Sequence, residues 1–210
     1  MIRIAVADDH AVVRKGLRLI LTESEDLVVA GEAASADELL TLLRSRPFDL
    51  VILDLSLGTR SGIDLLKHIK SEFPRLRVLV LSMHAEDLFA VRALRAGAAG
   101  YLQKERPPEE LIAAVRRIAA GGTYVSPAMT DRIAADLARG GAERLPHERL
   151  SDREFEIFRL LGSGKSVSEI AQALNVSVKT VSTHRARILE KTGLRNNADL
   201  VQYVIAHQLL

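Results

Sequence analysis

Asp8, Asp9, Asp54, Ser82 and Lys104 each stand at the end of an apolar run, and together they could hold a divalent cation and a phosphoryl group. Asp8 and Asp9 follow IRIAVA, Asp54 follows LVIL, Ser82 follows RVLVL, and Lys104 closes GAAGYLQK. Apolar runs of this length, separated by helical patterns, read as parallel strands covered on both faces. The carboxyl ends of such strands converge on one crevice, where ligands bind. Three carboxylates, a hydroxyl and an ammonium group, all distant in sequence, are therefore expected to meet. Carboxylates packed together repel and resist desolvation unless a cation offsets them. Mg²⁺ suits two or three carboxylates plus waters, and a lysine beside it suits an added anion such as a phosphoryl group. Taken singly, Asp8, Asp9 and Ser82 are ordinary helix caps and Lys104 a surface charge. Asp54 has no such role at the end of an apolar strand, and the joint pattern is far more specific than its parts.

The elements that must position these residues alternate. Strands are expected near residues 2–7, 27–32, 49–55, 76–82 and 99–102, with helices between them. Leu17, Ile20 and Leu21 mark the first helix; Leu111, Ile112, Val115 and Ile118 mark the fifth. Alternation of this kind implies right-handed crossovers and a parallel sheet with helices on both faces. Ser35 is a good cap for the second helix, and Pro107 and Pro108 suit the first turn of the fifth. That helix stops at Gly121-Gly122, where a domain boundary is expected. SPAMTDRIAADLA then reads as a connecting helix and RGGAERLPHERL as a flexible tether, which gives domains at 1–121 and 148–210 and a linker at 122–147.

Beyond the linker no strand signal remains, and helices fit residues 151–161, 166–174, 178–191 and 197–207. Ser151 and Glu154 form a capping box for the first of them. SEIAQALNVSVKTVSTHRARILEK gives a short helix, a turn at 175–177 and a longer helix, which is a helix-turn-helix arrangement. Val178, Val181, Ile188 and partly Leu189 recur at helical spacing and should pack inward. The other side of the longer helix carries Lys179, Ser182, Thr183, Ala186, Arg187 and Lys191, with Arg185 toward the edge. Basic side chains suit phosphates and guanine edges, while Ser, Thr and Ala permit close approach to bases. The candidate DNA contacts are Ser166, Lys179, Thr180, Ser182, Thr183, His184, Arg187 and Lys191. Leu200, Val201, Val204 and Ile205 put an apolar stripe on the last helix, a candidate surface for self-association.

Composition narrows the classes. Aromatic residues make up only 4% of the 210 residues, so the cores must be built from Leu, Val, Ile and Ala. There is no cysteine, which excludes disulfides, thiolate metal sites and cysteine nucleophiles. MIRIAVADDH enters a strand directly and lacks a signal-peptide pattern, and no apolar run reaches the about 20 residues of a membrane helix, so a cytoplasmic protein is expected. The whole net charge of +2 falls in residues 146–210, where nine basic side chains face seven acidic ones. Gly162-Ser163-Gly164-Lys165-Ser166 imitates a P-loop ending, but it follows a helix and lacks the first glycine, which would fall at Arg159. His68, His84, His147 and His207 show no metal-ligand spacing and read as surface or packing residues.

VADDH at 6–10, VILDLSLGTRSG at 51–62, VLVLSMH at 78–84 and GAAGYLQK at 97–104 resemble the receiver domain of two-component response regulators. LSDRE at 150–154, GKSVSEIAQALNVSVKTVSTH at 164–184 and ILEKTGLRNNADLV at 188–201 are similar to the LuxR-type helix-turn-helix of the NarL/FixJ response regulators. The resemblance implies a flavodoxin-like, doubly wound five-stranded sheet followed by an all-α four-helix DNA-binding domain. It implies that Asp54 is the phosphoacceptor and that Asp8, Asp9, Asp54 and the Ser56 carbonyl bind Mg²⁺. By the same resemblance Ser82 is the switch hydroxyl, Tyr101 the aromatic that follows it inward, and Lys104 the partner of the acyl phosphate. It further implies a sensor histidine kinase as phosphodonor and a homodimer on DNA when phosphorylated, with no membrane partner. Gly58 stands where the family commonly has proline, which implies a more mobile loop. Val167-Ser168 replaces an asparagine and a basic residue, and Ser182 a frequent lysine, so the target sequence is this chain's own.

Two rivals compete with a phosphorylation-controlled regulator. An aspartyl phosphatase would use the same nucleophile and metal, but it needs an acid/base two residues after Asp54, where Ser56 stands. It would also leave the helical module unexplained, so no enzyme is expected. The other rival is a DNA-binding protein whose receiver is never phosphorylated. The complete acidic, hydroxyl and lysine set argues against it.

Overall fold

The computed structural model describes residues 1–57, 62–83, 86–126, 130, 145–207 and 209, without the side chains of 86–88. The chain forms two compact units, Met1–Ala135 and Asp136–Leu210.

The first unit alternates β1 (Ile2–Ala7), α1 (Ala11–Thr22), β2 (Leu27–Ala33), α2 (Ala36–Ser45), β3 (Leu50–Asp54), α3 (Gly62–Glu72), β4 (Arg77–Ser82), α4 (Glu86–Arg95), β5 (Gly100–Gln103) and α5 (Pro108–Ala119). The strands pair in parallel in the order β2-β1-β3-β4-β5. Strand residues alternate between the two faces. Ile4, Val6, Leu50, Ile52, Leu79 and Leu81 pack with Leu17 and Leu21 of α1 and with Leu111, Val115 and Ile118 of α5. Val51, Leu53, Val78 and Val80 are buried as well, so the other face is also covered. This double burial is why the strands read as unbroken apolar runs.

Gly121-Gly122 is a turn within this unit, not its end. Gly121 takes a left-handed φ of 102°, and the chain returns to β5. There the Tyr101 N–H donates to the Tyr124 carbonyl at 3.1 Å, and the Tyr124 N–H donates to Ala99 at 3.0 Å. An edge strand carries unpaired backbone groups, and this return satisfies part of them. Gly100 is required beneath it, because a Cβ there would lie 2.8 Å from both the Tyr124 oxygen and Ile118 Cδ1.

In the second unit a 3₁₀ segment (Pro146–Arg149) leads into α6 (Asp152–Gly162), α7 (Val167–Ala173), α8 (Val178–Thr192) and α9 (Asn197–Ala206). Ser151, Ser166, Ser177 and Asn196 cap the four helices through their side chains. Phe155, Phe158, Leu161, Ile170, Val181, Ile188, Leu200 and Val204 form the core. Three expectations change here. The flexible tether read through residue 147 stops earlier, since the Leu145 N–H donates to Glu148 and His147 Nδ1 lies 3.0 Å from the Tyr203 hydroxyl. Val178 does not pack inward: it is 50% exposed, because the first turn of α8 projects from the core, with Ser177, Lys179 and Thr180 exposed beside it. Leu200 and Val204 are fully buried in the unit's own core, and a Cβ at Gly162 would come within 2.7 Å of Val204. The stripe available for self-association is thereby reduced to half-buried Val201 and exposed Ile205. Gly58, His84, most of the connecting helix and residues 139–144 of the tether lie outside the described residues.

Candidate functional site

The parallel register brings the expected residues to one end of the sheet. Asp8 follows β1, Asp54 ends β3, Ser82 ends β4 beside Gln103, and Lys104 follows β5. Asp8 and Asp54 are 1% exposed and Ser82 is fully buried. Lys104 Nζ donates to Asp8 Oδ2 at 2.6 Å and to Asp54 Oδ2 at 2.8 Å. Backbone groups hold the other oxygens: the Ser56 N–H donates to Asp54 Oδ1 at 3.1 Å and the His10 N–H to Asp8 Oδ1 at 2.8 Å. The Lys104 N–H donates to the Ser82 carbonyl at 2.9 Å, which ties the lysine to the end of β4. Asp9 is the outer member, 40% exposed, with His10 Nδ1 2.7 Å from its Oδ1.

Burial pushes the Asp54 carboxyl above the usual carboxylate range, against the opposing pull of Lys104. Burial acts on Lys104 in the downward sense, but its bonds to Asp54 and Asp8 outweigh it and hold the ammonium charged. The pocket is thus short of positive charge around a buried carboxylate, and an added cation would favour the ionised, nucleophilic form.

Donor atoms of Asp8, Asp9, His10 and Asp54 lie within 4.8 Å of one another. Mg²⁺ holds oxygens at about 2.0–2.1 Å, so opposite ligands stand roughly 4.2 Å apart, and the carboxylates are spaced for such an ion after small movements. Hard oxygen donors and one lysine fit Mg²⁺ with a phosphoryl group. Tyr101 is fully buried, so the aromatic expected to move inward already occupies the interior. Arg14 and His10 were not among the expected residues, although Arg14 donates to the Asp8 carbonyl at 2.7 Å. The sequence signal for them was adjacency to Asp8-Asp9 across the first turn of α1.

The second candidate surface lies on α8. Lys179, Thr180, Ser182, Thr183 and Arg187 are exposed together on this helix. The Thr183 hydroxyl donates to the Lys179 carbonyl at 2.9 Å, which leaves its methyl and its lone pairs available to a base edge. Thr180 Oγ1 lies 2.8 Å from the Ser177 hydroxyl, within the helix cap. Two other expected contacts are engaged within the unit, and a third is half-buried. Ser166 serves the α7 capping box with Glu169. Lys191 Nζ donates to Glu154 Oε2 at 2.7 Å, and Glu154 is 3% exposed. His184 is half-buried, and its Nδ1 has no hydrogen-bond partner. Burial lowers the His184 imidazole below its usual 6.5, so it is held neutral. Glu154 was legible only as a capping residue; the bond to Lys191, which fastens α6 to the end of α8, carries no local sequence signal.

Residues 4–116 match the response regulator receiver domain, and residues 148–204 match the luxR family of bacterial regulatory proteins. The chain is 36% identical over 214 residues to the oxygen regulatory protein NreC of Staphylococcus carnosus, covering 99% of each chain. It is 30% identical over 209 residues to the response regulator UvrY of Escherichia coli, covering all of this chain and 96% of that one. Among solved structures it is similar to RcsB of Salmonella enterica serovar Typhimurium bound to promoter rprA in the presence of a phosphomimetic. That match has a TM-score of 0.64 and 30% identity, and covers 97% of this chain and 98% of that one.

Proposed function

The chain belongs to the two-component response regulators that join a receiver domain to a LuxR-type DNA-binding domain, a family of transcription regulators and not of enzymes, and on that premise we propose how this member is switched. A sensor histidine kinase phosphorylates Asp54, and the phosphorylated protein pairs with a second copy and binds its DNA sites more tightly. The observation that carries this reading is Lys104 bonded at once to Asp8 and Asp54 inside a buried acidic pocket.

An Asp54 oxygen attacks the donor's phosphorus, the bond to the donor's leaving atom breaks, and an acyl phosphate forms on Asp54. Bound Mg²⁺, held by Asp8, Asp9, Asp54 and the Ser56 carbonyl, would supply charge neutralisation for the incoming phosphoryl group. Lys104 exchanges a carboxylate oxygen for a phosphoryl oxygen. Ser82, at the end of the neighbouring strand, is close enough in register for its hydroxyl to follow the new charge, and buried Tyr101 on β5 transmits the repacking. On the DNA, Lys179 and Arg187 meet phosphates, while Ser182 and Thr183 face bases.

No described helix is long and apolar enough to cross a membrane, and on the strength of its family we propose that the protein works in the cytoplasm. The test is phosphorylation by acetyl phosphate with Mg²⁺, read as intact mass. One acid-labile phosphoryl group is expected on the wild type and none on Asp54→Asn. Equal labelling of the variant sinks the assignment.

A further inference from the structure

At the end of the receiver sheet opposite Asp54, the turns entering β3 and β4 enclose an open-sided cavity of about 600 Å³. Phe48, Phe73, Pro47 and Pro74 are among its apolar lining, two of them aromatic. Its charged groups are Arg46, Arg75, Arg77 and Asp49, three cations against one carboxylate. That carboxylate is already engaged, since Asp49 Oδ2 accepts from the Arg3 backbone N–H at 2.7 Å. Arg77 is half-buried and donates to the Ile118 carbonyl. Arg46 lies over the Phe48 ring, 5.7 Å from its centroid, and neither Arg46 nor Arg75 has an ion-pair partner among the described residues.

The walls are held before any ligand arrives. The Pro47 carbonyl accepts from Arg3 Nε at 3.2 Å and the Pro74 carbonyl from Lys70 Nζ at 2.8 Å. The Asp49 N–H donates to Arg3 at 2.9 Å. A preformed cavity spares a ligand the cost of ordering its site. Its size is within the range of small-molecule sites. Apolar walls disfavour a bare inorganic anion, which would lose hydration without gaining contact, and the arginines disfavour a cation. A planar ring would lie against the phenylalanines, and a carboxylate matches the guanidinium fork.

We propose that this cavity binds a small aromatic carboxylate. β3 runs from Leu50 to Asp54 and β4 from Arg77 to Ser82, so both strands lead from the cavity to the acidic pocket. The inference stands apart from phosphorylation at Asp54.

The experiment is an amide NMR titration of the full-length protein with phenylacetate, against neutral phenylacetamide and inorganic phosphate. Phenylacetate should shift the Phe48, Asp49, Phe73 and Arg75 amides saturably, and phenylacetamide should bind about tenfold more weakly for want of a charge-assisted bond. Phosphate should not reproduce those shifts. Replacing exposed Arg46 and Arg75 together by alanine should weaken phenylacetate to a similar degree, with the Asp8 and Asp54 amides unmoved. No saturable shift by about 10 mM, equal binding of the amide, equal shifts from phosphate, or full affinity in the double variant would each overturn the proposal.

Discussion

A lysine 2.6 Å from Asp8 and 2.8 Å from Asp54 is what allows two carboxylates to sit almost fully buried at the end of one sheet. Removing one partner of a buried ion pair strands the remaining charge, at a cost of about 3–5 kcal/mol. Lys104→Met should therefore lower stability by about 3 kcal/mol in urea unfolding without divalent ions, and saturating Mg²⁺ should restore part of that loss. An unchanged urea midpoint would show that the lysine does not neutralise the pocket. In the DNA-binding unit, His184 is held neutral by burial, below its usual 6.5, and Glu154, despite its burial, is held ionised below its usual 4.5 by Lys191 and Ser151. Both shifts run downward, so the unfolded chain takes up protons first and stability falls as pH falls. The His184 contribution is present above 6.5 and declines below it; the Glu154 contribution is lost only as pH drops below 4.5. His184→Gln should flatten the loss of thermal stability between pH 7 and about pH 5.5, and an unaltered slope would contradict the assignment. The five residues of the acidic pocket were legible because each ends a strand. Glu154 with Lys191, and the burial of His184, were not, because they depend on which helix faces which.

At the scale of elements, strands buried on both faces leave a strong mark, and the expected strands agree with the observed ones to within a residue or so at each end. The first helix of the second unit was legible from its cap, since Ser151 accepts from Glu154 at the third residue of the helix; the caps Ser166 and Ser177 appear only in the structure. What escaped was pairing at a distance. The Tyr124 return to β5 and the His147–Tyr203 contact unite segments whose local patterns look like linker. Periodicity also placed Val178 inward, although it is 50% exposed, with Lys179 and Thr180 exposed beside it. On α9 the same periodicity could not separate core from surface. Leu200 and Val204 face α6, and Ile205, 60% exposed, remains for a partner. Ile205→Glu should leave the urea midpoint unchanged, because surface substitutions generally stay within about 0.5 kcal/mol. It should weaken dimers of the phosphorylated protein in sedimentation analysis, and dimers of undiminished strength would remove α9 from the interface.

At the scale of the whole molecule, the chain joins a receiver domain with a buried acidic pocket to a LuxR-type DNA-binding domain. One recognition helix touches few base pairs, so a single copy should bind modestly, while two linked copies read two half-sites and gain effective concentration. If Lys179 and Arg187 meet phosphates as proposed, such binding should fall with salt and alanine at either position should flatten that dependence. The joining of the two domains was legible in the sequence from its two motif sets, but the proposed coupling between them depends on populations of states that no single arrangement displays. The direct test is the affinity of the full-length protein for its own promoter DNA, found by selection and measured with and without acetyl phosphate and Mg²⁺. The wild type should bind at least about tenfold more tightly when phosphorylated, a shift of about 1.4 kcal/mol, and should protect paired half-sites. Asp54→Asn should bind equally in both conditions. Identical affinity of the wild type with and without the phosphoryl group on Asp54 would contradict the account.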